Sequence, residues 1–218
     1  MQNAPENGKI VQFPVRLAEA EVFAHEDLAR IFAAWRQQLV TGRMPQLHEF
    51  APRMLGRWMA YSGVVEAAAG ELAFPGVEPP LRWRLAGSAL CKLANRELDG
   101  TEALEDWYRF ERATLRRLLA QLMEQQHPFL AQIRLDGMPG EARLEVLALP
   151  LLDPARKQTV ALMIFRPFFA AGRVVPGSLE QARLVSLRVL TAGAEKRVPD
   201  GKETEAAQVL PLFSGETA

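Results

Sequence analysis

The residues best suited to chemistry are few in this sequence, and their spacing does not suggest a reaction centre. Cys91 is the one cysteine, so it forms no internal disulfide and shares no zinc site with a second thiolate. His25, His48 and His127 are scattered, with no HExxH and no other metal-ligand spacing. No GxxxxGK[ST] or GxGxxG stretch offers a phosphate cradle, and no GxSxG offers a nucleophile elbow. Glu102, Glu105 and Asp106 cluster beside Trp107, where acids next to an expected helix start act as caps or face solvent. The arginines have two readings. Arg82, Arg84, Arg134 and Arg143 on the strands, and Arg112, Arg116 and Arg117 on a helical edge, are solvated faces with acidic neighbours such as Glu111 and Glu141. Alternatively, they form an anion site if several converge.

Composition narrows the classes further. The chain has 218 residues, 49% apolar and 24% charged, which is ordinary globular composition with room for one sizeable core. Lys+Arg and Asp+Glu are both 26, so the formal charge is zero, and no basic surplus announces a nucleic-acid binder. Met1 to Lys9 lacks the pattern of a signal peptide, and no apolar run reaches the roughly 18 residues of a membrane helix. A reducing cytoplasm, with no membrane partner, is the expected location.

Periodicity supplies the elements that must position these groups. Leu28, Ile31, Phe32, Trp35 and Leu39 recur at helical spacing within 25–40, with Glu26 and Asp27 in the first turn and Thr41-Gly42 at the end. This stripe either packs on the parent domain or forms a homodimer seam. A short helix is expected over 49–57 and an extended stretch over 57–67. Leu81, Trp83 and Leu85 alternate with Arg82 and Arg84, the pattern of a half-buried strand. Residues 88–98 are expected to be helical. Leu115, Leu118, Leu119, Leu122 and Met123 predict a long helix over 110–126, stopped by His127-Pro128. Three strands follow, over 129–135, 143–152 and 158–165, linked as antiparallel hairpins. The third is apolar on both faces and therefore central. Residues 183–190 read as an extra strand or a docked helix, 199–208 as a polar linker and 209–213 as a small apolar plug.

That order of elements resembles a PAS domain. The stretch Leu81 to Gly100 is similar to a segment of a small, mainly alphaproteobacterial, single-domain PAS family, matching at Arg84, Leu85, Ala86, Gly87, Leu90, Arg96, Glu97, Leu98 and Gly100. The long helix at Ala113 to Glu124, and the acid followed by Leu-Pro-Leu at Glu145 to Leu151, extend the likeness across residues 28 to 168. Ala94-Asn95 departs from it, where the family would place an aromatic residue and a glycine.

The resemblance implies an α+β fold: a five-stranded antiparallel sheet with helices on one face, preceded here by the N-terminal amphipathic helix. Residues 1–24 would be an N-terminal extension, 25–169 the PAS-like domain with its flanking helix, and 170–218 a C-terminal extension and flexible tail. A ligand pocket, where one exists, would be lined by Leu85, Leu90, Cys91, Leu104, Leu118, Ile133, Val146 and Met163. Cys91 does not lie in the Asn-Cys-Arg-Phe-like motif of a flavin photosensor, and His127, beside Pro128, is a poor haem ligand; no cofactor is named by the sequence. The implied role is a non-catalytic sensor or adaptor in bacterial signalling, acting through dimerisation and a protein partner, with a small-molecule ligand allowed. The competing readings are a small α+β enzyme with a convergent acid–base pair, and a nucleic-acid regulator using the arginine-rich helix.

Overall fold

In the computed structural model, the described residues are 22–68, 80–105, 107, 109–135, 142–168, 179 and 182–190. The chain forms α1 (Glu26–Val40), α2 (Leu47–Leu55), a 3-10 turn (Gly56–Tyr61), β1 (Ser62–Ala67), β2 (Leu81–Ala86), α3 (Ser88–Ala94), α4 (Arg109–Gln125), β3 (Phe129–Leu135), β4 (Arg143–Asp153), β5 (Gln158–Pro167) and β6 (Ala182–Val189). All pairings are antiparallel, in the order β2-β1-β5-β4-β3-β6. The sheet therefore has six strands, not five. The sixth comes from residues assigned on sequence to the C-terminal extension. The apolar plug at 209–213 and the linker at 199–208 lie outside the described residues.

Helices cover both faces of the sheet. On one face α3, α4 and the segment Leu98–Trp107 pack on Trp83, Ala131, Ile133, Val146, Met163 and Phe165. On the other, α1 and α2 pack on Leu130, Leu147, Leu149, Leu151, Val160, Leu162 and Ile164. This explains why β4 and β5 read as continuous apolar runs: successive side chains enter different cores.

The second core settles the reading of the α1 stripe. Leu28, Ile31, Phe32 and Trp35 are buried against the chain's own sheet, and Leu39 packs partly on the same cluster. The dimer seam expected along these five residues is therefore corrected to intramolecular packing; each buried side chain removes apolar area worth about 1.5–3 kcal/mol. Trp35 also solves a backbone problem. Pro150 lies mid-strand in β4, where a missing N–H is ordinarily costly. But β3 reaches along β4 only to Ala148. Past that point the Trp35 indole N–H donates to the Pro150 carbonyl at 2.8 Å, and the Leu152 N–H donates to the Pro45 carbonyl at 2.9 Å.

We expect Trp35→Phe, which keeps a ring but leaves the Pro150 carbonyl without its donor, to cost about 1–2 kcal/mol. Trp35→Ala should cost about 3–5 kcal/mol. Urea unfolding would read both as lowered midpoints at unchanged slope.

Candidate functional site

The eight residues expected to line a pocket do not all meet. Leu90, Leu104, Ile133, Val146 and Met163 share the α3/α4 core, and Cys91 and Leu118 pack partly against it. Leu85 does not; it is 53% exposed. The cause is a bulge: Val64 lies opposite Leu85 and Val65 opposite Trp83, so Arg84 is the extra residue and the alternation reverses after it. Trp83 keeps the inward position and Leu85 is turned out. Between the helices and the sheet the space is filled by Leu93, Leu119, Leu122, Phe129 and Phe165, each at most 2% exposed. Burial pushes the Cys91 thiol up, and nearby Glu97 and Asp99 add to this against a hydrogen bond from the Leu98 backbone; the reactive thiolate is disfavoured. Two depressions open elsewhere on the surface. A cleft of about 270 Å³ lies where α4 meets Ala67 and Leu81, and a groove of about 410 Å³ is floored by Ile31, Leu55 and Trp58. None of the eight residues lines either one.

The polar groups concentrate where α1 meets the sheet. Glu145, fully buried in β4, accepts the backbone N–H groups of Ala24 and His25, each at 2.9 Å, and so ties the start of α1 to the strand. Burial pushes its carboxyl up; the two N–H donors and the charge of Arg188 oppose this. The His25 ring lies 4.4 Å from that of Phe168. Burial, then the charge of Arg166, pushes the His25 pKa down, against a smaller upward pull from Asp27. Asp27 receives Arg30 at 2.5 Å, Arg57 at 3.4 Å and Arg166 at 3.8 Å, and the Arg166 guanidinium lies 3.8 Å from the Trp58 ring centre.

The strand arginines separate. Arg84 pairs with Asp153, while Arg82 lies opposite Glu66 in β1 and its backbone forms an isolated antiparallel β-bridge with that of Glu102. Arg134 and Arg143 alone of the four stand directly abreast. On α4, Arg116 pairs with Glu102 at 2.6 Å. Among the described residues no group of three His, Cys, Asp or Glu side chains is placed to hold a metal.

The family model described as PAS domain matches the chain over residues 23–165, the stretch that runs from the head of α1 into β5. The chain belongs to the PAS family. No curated protein and no solved structure matches it. The match ends within β5, so β6 lies beyond the part shared with the PAS model.

The PAS-like sequence pieces now have physical roles. Gly87 has φ −69°, open to any residue, but a Cβ there would lie 2.3 Å from the Ala60 carbonyl oxygen; it is glycine for space. Asn95 ends α3 with φ 54°, a left-handed cap that asparagine tolerates nearly as glycine does, so the departure at Ala94-Asn95 keeps the turn. Glu145, marked in sequence only as the acid before Leu-Pro-Leu, is the clamp on α1. Sequence reasoning missed that role, along with Arg166 on Trp58. A charged residue inside an otherwise apolar strand was the available signal for Glu145.

Two expectations follow. Gly87→Ala should destabilise by about 1–3 kcal/mol, read by thermal unfolding. The pH dependence should carry opposite slopes. Glu145, raised when folded, contributes stability that is present below its ordinary value of 4.5 and lost as pH rises through its folded value. His25, lowered when folded, contributes stability present above its ordinary value of 6.5 and lost as pH falls toward its folded value. Glu145→Gln should remove the first slope and His25→Phe the second in unfolding free energy measured from pH 4 to 8.

Proposed function

We propose that this PAS domain is a non-catalytic signalling adaptor of the bacterial cytoplasm, allied to the small alphaproteobacterial single-domain members, whose output is contact with another protein. The observation that carries this reading is the filled space between sheet and helices, where Trp83, Leu119, Leu122 and Phe165 occupy the region a ligand would need. A disfavoured Cys91 thiolate, and polar clusters that serve packing and capping, give no acid–base pair for an enzyme. No helix among the described residues is long and apolar enough to cross a membrane. The α1 stripe, taken up by the second core, leaves partner contact to other surfaces.

Native mass spectrometry of the purified protein, set against its denatured mass, tests this. The expected result is the mass of the chain alone or of an integral multiple of it. A retained non-covalent small molecule would make the protein a ligand sensor and overturn the adaptor reading.

A further inference from the structure

The head of α1 and the last strand act on the same buried group. Arg188 of β6 lies opposite Leu130 of β3, and Leu130 lies opposite Leu147 of β4. Both leucines belong to the second core, so Arg188 is on the α1 side of the sheet. Glu145, two residues before Leu147, points the same way and takes the Ala24 and His25 N–H groups. It is fully buried, so its charge needs a counter-charge close by. Arg166, opposite it in β5, turns its guanidinium to the Trp58 ring and to Asp27. Gln132, opposite it in β3, is neutral, and Arg143, two residues earlier in β4, is itself engaged. The His25 imidazole, whose pKa burial and Arg166 push down, is a poor cation. Arg188 is the group whose charge favours the Glu145 carboxylate. The need is mutual, since Arg188 Nη1 is buried with no hydrogen-bond partner among the described residues.

Of the two elements, β6 is held less firmly. Among the described residues it pairs with β3 alone, and a bulge interrupts that pairing: Gln132 lies opposite Ser186 and Ile133 opposite Leu184, so Val185 is an extra residue. One further tie runs from Leu184 N–H to the Glu111 carboxylate of α4, at 3.2 Å. Residues 183–189 are half-buried or exposed, whereas Leu28 and Trp35 of α1 are fully enclosed. Segments with few buried side chains open first in local unfolding. Just past β6, Leu190 donates its N–H to the Pro128 carbonyl at 2.8 Å and joins the second core with Phe23 and Leu28. Drawing β6 away therefore takes two things from α1: the charge behind its clamp and a member of its core.

We propose that β6 is a latch on α1: while β6 is paired, Arg188 balances the Glu145 carboxylate that clamps Ala24 and His25, and when β6 leaves β3 the head of α1 loosens over the apolar sheet face beneath it. Arg188 is a positioning residue in this device, acting through Glu145. β6 lies beyond the part of the chain that the PAS model matches, so the latch is an addition to that part. It concerns movement within the chain and stands apart from the adaptor reading.

Amide exchange of the full chain tests the latch. In the unaltered protein the Leu190 amide should be protected no more than those of Ala24 and His25. The reverse order means that α1 opens while β6 stays paired, and overturns the proposal. In Arg188→Gln the Ala24 and His25 amides should exchange about tenfold faster near pH 7, a coupling of the size found between neighbouring groups. Arg188→Lys, which keeps the charge, should restore most of the protection. The ratio of variant to unaltered rates should shrink as pH falls to 4.5, the ordinary value for this carboxyl, because Glu145 raised above it has by then taken up its proton. Leu190→Ala, which alters no charge, should speed the same two amides, and serves also where Arg188→Gln does not fold. In urea, Glu145→Gln combined with Arg188→Gln should lose less than the sum of the two single losses. Unchanged exchange at Ala24 and His25 in either folded variant, strict additivity in urea, or a loss that Arg188→Lys does not repair and pH does not alter, overturns the proposal.

Discussion

Burial of one sheet on both faces is the constraint from which the rest follows. β4 and β5 send alternate side chains into two different cores, so neither strand can afford a polar stripe. Two helical layers are then required, because an apolar sheet face left open would attract other chains. α3 and α4 meet one face and α1 and α2 the other. Among the described residues the buried polar ones are few: Ser62 at the start of β1, Asp153 at the end of β4, and Glu145. Of the two buried acids of β4, Asp153 at its end pairs with Arg84, and Glu145 is tolerated because two backbone N–H groups at the head of α1 satisfy it.

Much of this was legible from periodicity. The α4 stripe at Leu115, Leu119 and Leu122 is buried as its spacing implies, and the two-sided apolar run at 158–165 does lie inside the sheet, between β1 and β4. Two features were opaque for definite physical reasons. A bulge leaves no mark on composition, so the alternation Leu81, Trp83, Leu85 pointed Leu85 inward when the extra residue at Arg84 turns it out. An amphipathic stripe also reports only that it is covered, not by what; Leu28, Ile31, Phe32 and Trp35 fit a second copy as well as the chain's own strands.

The site was less legible than the fold. Glu145 was visible as part of a motif, but its partners are backbone groups some 120 residues earlier, and such pairings have no local signature. The arginines of β6 are similar. Arg183 and Arg188 have an odd separation that in a regular strand divides them between faces, and only the bulge at Val185 unites them. In both strands where side-chain direction was misjudged or unreadable, the responsible element was one inserted residue, which suits edge strands, where bulges are most easily accommodated.

The clamp between Glu145 and the head of α1 has a consequence in time. The helix precedes every strand in the sequence, while the surface that receives it is completed only when β4 and β5 have paired. Its contacts, Ala24 and His25 to Glu145 and Trp35 to Pro150, span 115 to 121 residues. Separations of that size raise contact order and slow folding. During synthesis α1 must therefore wait, apolar stripe uncovered, while more than half of the chain is made. The nascent protein thus passes through a stage in which this apolar stripe is open to aggregation.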